Sequence, residues 1–262
     1  MRANKALRAW RERKGAVGGW LSIGNAYTAE VMANLGFDWL CVDLQHGLID
    51  YPDLIAMLPA ISTTETTPIV RVPWNDQVYL KRILDAGAQS IMVPMVESAE
   101  EAAAVVAACR YPPQGRRGYA APAMRCSRYG FIPDYLSRAN DELLLITQIE
   151  SANAAATADR IGGVDGVDMV FIGINDMGGS IGRLEQLSHP DVRALAEQSE
   201  AGIRRSGKLM GTVPSSGAGT VELFRKGYNL VAGAGDMVML REAAKADLAK
   251  VRAGLADSGK AY

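Results

Sequence analysis

Short apolar runs rich in β-branched residues alternate along this chain with longer stretches of helical periodicity. The runs are Gly19–Gly24, Asp38–Leu44, Pro68–Val72, Ser90–Val96, Leu143–Glu150, Asp168–Ile174, Lys208–Val213 and Asn229–Gly233. Two of them contain unbroken apolar tetrads, Trp39-Leu40-Cys41-Val42 and Leu143-Leu144-Leu145-Ile146. A strand with one wet face alternates apolar and polar positions, so an unbroken run predicts burial on both faces, as in a parallel sheet. The stretches between carry helix punctuation. Ser98 and Glu101 have the spacing of a capping box and open an alanine-rich helix that reaches Arg110. Leu80, Ile83 and Leu84 fall at i, i+3 and i+4 before Gly87 stops their helix. Towards the end, Leu240, Ala243, Ala244, Leu248 and Val251 form one apolar stripe.

Eight strands alternating with eight helices predict a (β/α)8 barrel of the TIM type. The length of 262 residues fits one such domain over 1–262, since barrels reach about 250 residues as a single unit. A doubly wound open sheet is the alternative, but it announces a glycine-rich fingerprint after its first strand, and Ile23-Gly24-Asn25 is not one. Residues 111–140 are irregular, with Pro112, Pro113, Gly115, Gly118, Pro122 and Pro133. They also carry Arg116, Arg117, Arg125 and Arg128. Following the fourth helix, this stretch begins at the amino-terminal face of the barrel. Its length would let an arginine reach a substrate carboxylate over its own barrel or in a neighbouring copy. A surface excursion with solvated or paired arginines is the plain alternative.

A hydrophobic share of 48% with 22% charged residues excludes disorder as the dominant state. Twenty-eight basic against 29 acidic residues leave a net charge of −1, so no global field recruits nucleic acid or anionic lipid. Cys41, Cys109 and Cys126 are widely spaced and form no C-x-x-C pair, against both a disulfide framework and a cysteine zinc site. Arg2, Lys5, Arg8, Arg11, Arg13 and Lys14 precede no apolar run, so the start of the chain does not read as a signal peptide. No apolar stretch approaches the ~20 residues of a membrane span. A soluble cytoplasmic protein, with neither nucleic-acid nor membrane partners, is expected.

In a barrel the reactive groups belong at the carboxyl ends of the strands. Polar residues gather there: Asp43-Leu44-Gln45-His46-Gly47, Arg71-Val72-Pro73, Gln148-Ile149-Glu150, and Asn175-Asp176. Gln148 and Glu150 are two apart on a strand and share a face. Glu150 and Asp176, on neighbouring strand ends, suit Mg²⁺ or Mn²⁺, which prefer oxygen ligands and keep several waters. Alone, Glu150 would be an ordinary solvated strand end. His46 sits where a glycine turn can present its ring, and imidazole takes and returns protons near neutrality. His189, before Pro190, reads as a loop residue. Arg71 lies inside an apolar strand, where an unpaired guanidinium is costly, so it either closes a structural salt bridge or holds a substrate oxyanion. A Schiff-base lysine is excluded: Lys81 and Lys245 fall on helices and Lys208 opens the seventh strand at the wrong end.

At these residues the chain resembles the HpcH/HpaI aldolases, metal-dependent class II pyruvate aldolases of the phosphoenolpyruvate/pyruvate barrel superfamily. The resemblance runs from about Gly19 to the final helix. Its carriers are DLQHG at Asp43–Gly47, RVP at Arg71–Pro73, LDAGAQSIMVPMV at Leu84–Val96, YPPQGRRG at Tyr111–Gly118, QIE at Gln148–Glu150 and FIGINDM at Phe171–Met177. It implies His46 as general base, Asp85 as its dyad partner, and Arg71 as the residue stabilising the transition state. It further implies Glu150 and Asp176 as ligands of Mg²⁺ or Mn²⁺, with Co²⁺ a further option, and Gln148, Asn175 and Asp176 as contacts of the 2-oxo acid. The implied reaction cleaves a 4-hydroxy-2-oxo acid reversibly to pyruvate and an aldehyde. The implied assembly is a homo-oligomer, commonly a hexamer of three dimers with C-terminal helices exchanged. The chain departs from the family pattern at Gln45, where an acidic residue is usual, and at Ile174, where a G-P-x-D-L turn has proline. Other metal-enolate chemistry, such as oxaloacetate decarboxylation or a citryl- or malyl-type lyase, uses the same residues. A non-catalytic or phosphate-binding barrel would instead use Gly233-Ala234-Gly235.

Overall fold

All eight runs become parallel strands: β1 Ala16–Leu21, β2 Trp39–Asp43, β3 Thr67–Arg71, β4 Ser90–Val93, β5 Leu144–Ile149, β6 Met169–Ile172, β7 Leu209–Thr212 and β8 Leu230–Ala232. Each pairs with its neighbour in sequence, and β8 returns to β1 to close the barrel. The computed structural model describes residues 3–12, 14–214, 217–233 and 235–257. Strands β2, β4, β5, β6 and β8 are buried at every position, the physical origin of their unbroken apolar runs. The first strand starts at Ala16 rather than Gly19. Its glycines lie inside the strand because Trp39 of β2 packs across Gly18, and a Cβ there would overlap the indole.

Helix α1, Lys5–Arg11, precedes the barrel, and α2 Ala26–Asn34, α3 Tyr51–Ile61, α4 Gln77–Asp85 and α5 Ala99–Cys109 follow the first four strands. The short α6, Tyr135–Arg138, leads into β5; α7 Ala152–Ala156 and α8 Ala158–Gly163 follow it. After β6 come α9 Ile174–Ser180 and α10 Pro190–Ser206, then α11 Gly217–Arg225 after β7 and α12 Asp236–Asp257 after β8. Ser98 caps α5, its hydroxyl oxygen accepting from the Glu101 N–H at 3.1 Å, and Leu80, Ile83 and Leu84 are the buried face of α4. The apolar stripe of α12 does not pack on its own barrel: Leu240 is 63%, Leu248 44% and Val251 50% exposed. Among the described residues no helix is long and apolar enough to cross a membrane.

Residues 111–140 stay at the amino-terminal end of the barrel. They fold around Tyr111, Ala121, Tyr135 and Ala139, with two turns of 3₁₀ helix at Ala121–Ala123 and Arg125–Ser127. Arg117 is buried, donates to Asp85 at 2.8 Å and lies 4.4 Å over the Tyr111 ring. Arg125 donates to the Ala86 carbonyl at 3.0 Å. Both partners close α4 at that same end. The stretch does not reach over its own site, and these two arginines are structural.

Helix α1, which the hydrophobic pattern did not announce, plugs the amino-terminal mouth. Ala6, Leu7 and Trp10 join the barrel interior with Trp39, Cys41, Ile69, Met92, Leu144 and Met169. Trp10 donates to the Asn229 carbonyl at 2.9 Å, and the Asn4 amide reaches Ser90 Oγ at 2.9 Å. Glu142 ties this plug down, accepting from the Asn4 N–H at 2.7 Å and from Arg8 at 2.7 Å. Burial alone would push its carboxyl up, but these two donors outweigh it and hold the group below the ordinary carboxylate range. Stability from a depressed carboxyl is present at neutral pH and lost as the pH falls through the folded-state value. Glu142→Gln is therefore expected to cost about 1–3 kcal/mol at pH 7, with the gap to the unaltered protein narrowing in acid. Urea unfolding at several pH values measures this; an equal gap at neutral and acid pH would show that the charge does not hold α1.

Candidate active site

Strand β2 ends on Asp43, directly opposite Arg71 at the end of β3. The register turns the two side chains into a bidentate pair: Arg71 Nε donates to Oδ1 at 2.8 Å and Nη2 to Oδ2 at 2.7 Å. Both residues are buried, and the guanidinium lies 4.4 Å over the Trp20 ring. Oδ1 also accepts from the backbone N–H groups of Gln45 at 3.1 Å and His46 at 3.3 Å. One carboxylate thus fixes both the arginine and the turn that carries the histidine. The turn is tight because Gly47 donates to the Asp43 carbonyl at 3.2 Å, and a methyl group at that position would overlap the same oxygen. His46 emerges exposed at the rim. The sequence reading left Arg71 between salt bridge and oxyanion holder. The structure shows the salt bridge, while Nη1 has no acceptor among the described residues. Asp43 was not singled out from the sequence, because the cross-strand register that makes it Arg71's partner is not written in either segment.

Strand β5 supplies Gln148 and Glu150 to one face. Gln148 Nε2 donates to Glu150 Oε1 at 2.6 Å, and the Met95 N–H donates to Oε2 at 2.8 Å. Met95 holds φ at 54°, a left-handed conformation unusual for a side chain of its size, so backbone strain serves this contact. No sequence signal marks it. Gly173 packs on the same carboxylate; a Cβ there would meet Glu150 Oε1 at 2.7 Å. Burial, seconded by the Asp176 carboxylate, raises Glu150 to about 7 against the pull of Met95, Arg71 and Gln148. Asn175 and Asp176 are exposed on the first turn of α9. Ile174 stands where the family pattern has proline, yet the turn is anchored by Gly173 N–H to the Ile149 carbonyl at 3.0 Å and Met177 N–H to the Gly173 carbonyl at 3.0 Å.

These side chains border a pocket of about 300 Å³ lined by Trp20, Ser22, Asp43, His46, Arg71, Gln148, Phe171, Asn175, Asp176, Val213, Met237 and Val238. The donor set fits a hard divalent cation: two mutually repelling carboxylates, one buried without a paired cation, and Gln148 Oε1, a buried acceptor with no hydrogen-bond partner among the described residues. No group of three or more His, Cys, Asp or Glu side chains among those residues could cage a metal, so other ligands would be water and substrate. Asp85 does not join this site. It closes α4 at the opposite end of the barrel, bound to Arg117, so the His46–Asp85 dyad is not formed within one chain. The phosphate reading also weakens. Ala234 lies outside the described residues, but Asp236 takes the N–H groups of Ser22 at 2.9 Å, Ile23 at 3.2 Å and Met237 at 2.8 Å, donors an anion would need.

The family model for HpcH/HpaI aldolase/citrate lyase matches residues 17–243. The chain belongs to this family. It is 39% identical over 241 residues to a Salmonella dublin protein named 4-hydroxy-2-oxo-heptane-1,7-dioate aldolase, covering 92% of this chain and 90% of the relative. An Escherichia coli protein of the same name is also 39% identical over 241 residues, with 92% and 91% covered. The crystal structure of an HpcH/HpaI aldolase/citrate lyase family protein from Burkholderia cenocepacia superposes with a TM-score of 0.92 at 34% identity, covering 95% of this chain and all of that one. Against the family pattern, Gln45 keeps a buried Oε1 with no partner among the described residues.

Asp43→Asn tests the double duty of this carboxylate. The variant should lose one charge-assisted bond to Arg71 and loosen the His46 turn, lowering kcat by about 10²–10³, the scale for removing a transition-state donor. Gly47→Ala should reproduce the histidine part alone. Unchanged steady-state kinetics in both folded variants would show that neither Arg71 nor His46 depends on this anchoring.

Proposed function

We propose that this chain is a divalent-metal-dependent aldolase that reversibly cleaves a 4-hydroxy-2-oxo acid to pyruvate and an aldehyde. The observation that carries the reading is the convergence of His46, Arg71, Gln148, Glu150 and Asp176 at the carboxyl ends of β2, β3, β5 and β6 in a member of an aldolase family. A Mg²⁺ or Mn²⁺ ion held by Glu150 and Asp176 would supply Lewis-acid polarisation of the substrate's 2-oxo group. Arg71, kept in place by Asp43 and Trp20, offers Nη1 to the oxyanion that develops there. His46 accepts the proton of the 4-hydroxyl, the C3–C4 electron pair passes to the pyruvate fragment as an enolate, and protonation at C3 yields pyruvate. Gln148 and Asn175 are positioned to contact the oxo acid. Among the described residues no lysine competes for a Schiff-base role: Lys208 donates to the Val167 carbonyl at 2.6 Å at the amino end of β7.

Pyruvate release from a 4-hydroxy-2-oxo acid, with and without chelator, tests the reading directly. Activity should vanish on chelation and return with Mg²⁺ or Mn²⁺. Glu150→Ala and Asp176→Ala should lose it with the fold intact, and His46→Ala should lower kcat by about 10²–10⁴ while metal binding survives. Full turnover in chelator, or wild-type turnover by His46→Ala across pH, would overturn the assignment.

The same reading includes a homo-oligomer, a hexamer with α12 exchanged between copies. The exposed Leu240, Leu248 and Val251 support it, since a helix of 22 residues with a bare apolar stripe gains from a partner. Light scattering should give a multiple of the 28.0 kDa chain, and a monomer at working concentration would reject it.

A further inference from the structure

We infer that the far end of the substrate, beyond the cleaved bond, is uncharged and apolar, so the site prefers 4-hydroxy-2-oxo acids that release a neutral aldehyde over dicarboxylates that release an acidic one. The inference rests on the aldolase reading above and adds the acceptor class. Cleavage between C3 and C4 places the charged carboxylate and oxo group on the pyruvate half, and the polar groups of the rim lie on one arc to receive them. His46 follows β2, Arg71 closes β3, Gln148 and Glu150 end β5, and Asp176 follows β6.

The other arc is built by β7, β8 and β1. Its contributions to the pocket are Val213, Met237, Val238 and Trp20, with Ser22 and Gly235 between them. Trp20 stands edge-on to Phe171, ring centroids 6.2 Å apart, and extends this apolar wall across the pocket. The sequence itself denies this arc a cation. No charged residue occurs from Leu209 to Val221, from Gly227 to Gly235, or from Gly15 to Ala29. The first charge after β8 is Asp236, a buried carboxylate that would repel a second one. Arg71 is the one arginine or lysine among the pocket-lining residues, and its Nε and Nη2 already serve Asp43. Arg117 and Arg125, which could have offered a guanidinium, are committed at the opposite end of the barrel.

A distal carboxylate would therefore lose water against Met, Val and Trp side chains with no counter-charge, which is costly. A methyl-terminated tail of the same length would bury apolar surface there and gain from it. The relatives named for a heptane-1,7-dioate carry such a carboxylate on the substrate of their name. This chain has the reaction centre without a visible counter-ion for that group.

The test compares two substrates of equal chain length, 4-hydroxy-2-oxoheptanoate and 4-hydroxy-2-oxoheptane-1,7-dioate, by pyruvate release with Mg²⁺ or Mn²⁺ present. Condensation of pyruvate with butanal and with 4-oxobutanoate gives the same comparison in reverse. We expect kcat/KM to favour the neutral member by about tenfold or more, the scale on which pockets sort substrates by one group. Met237→Arg, at a half-exposed position on the pocket mouth, should move the ratio towards the dioate by about tenfold. Equal kcat/KM values, or a preference for the dioate, would overturn the inference and leave the aldolase reading standing; a cation from a second copy would produce that result. No pyruvate from either substrate would overturn both.

Discussion

A charged pair formed by strand register governs the rest of this site. Asp43 and Arg71 are opposed because β2 and β3 pair in parallel with those two residues in line. A lone guanidinium at that depth would carry a large desolvation cost, and a lone carboxylate the same; the bidentate geometry satisfies both. The remaining acceptor capacity of Asp43 then orders the backbone of Gln45 and His46. Base and oxyanion holder are positioned by one group, so any change in β2–β3 register would displace both together.

The barrel separates stability from chemistry by its two ends. At the amino end polar groups are paired and buried: Glu142 with Asn4 and Arg8, Arg117 with Asp85 and the Tyr135 hydroxyl. At the carboxyl end the structure keeps conditions that a purely structural region would avoid, a buried amide oxygen without a partner at Gln148 and a left-handed backbone at Met95. Such features persist where surrounding structure over-determines them, and both here converge on the Glu150 carboxylate.

The architecture was legible because burial on both faces leaves a mark on sequence that no other arrangement leaves so plainly. The strand of Leu144–Ile149 is an example, buried at all positions. The first strand was less legible, since Gly18 and Gly19 look like a strand edge until Trp39 is known to lie across Gly18. Helix α1 escaped because its apolar residues, Ala6, Leu7 and Trp10, answer to a barrel mouth that exists only after closure. His46, Arg71, Gln148 and Asp176 could be placed at one rim from strand direction alone, and the structure brings them to one pocket with Glu150 beneath it. Asp85 could not be paired with His46 within the chain by that same logic: a helix that leaves the carboxyl end of β3 must finish at the amino end.

The two buried carboxylates of the rim show how physical chemistry sorts positioning groups from ligands without reference to relatives. Asp43 has a guanidinium across both oxygens, so its charge is compensated inside the protein. Glu150 is buried as deeply but has only neutral donors on its oxygens, the Gln148 amide and the Met95 N–H. Its nearest charged influence besides the more distant Arg71 is another carboxylate, Asp176, and together with burial this lifts it to about 7. A barrel that buried an acid without a cation for packing alone would gain more from an apolar side chain of similar volume. Keeping the acid there, with a second acid beside it and a bare amide oxygen between them and the pocket, makes sense when the missing positive charge arrives from outside the chain. The same reasoning leaves Asp43 out of any ligand set, because its lone pairs are already taken.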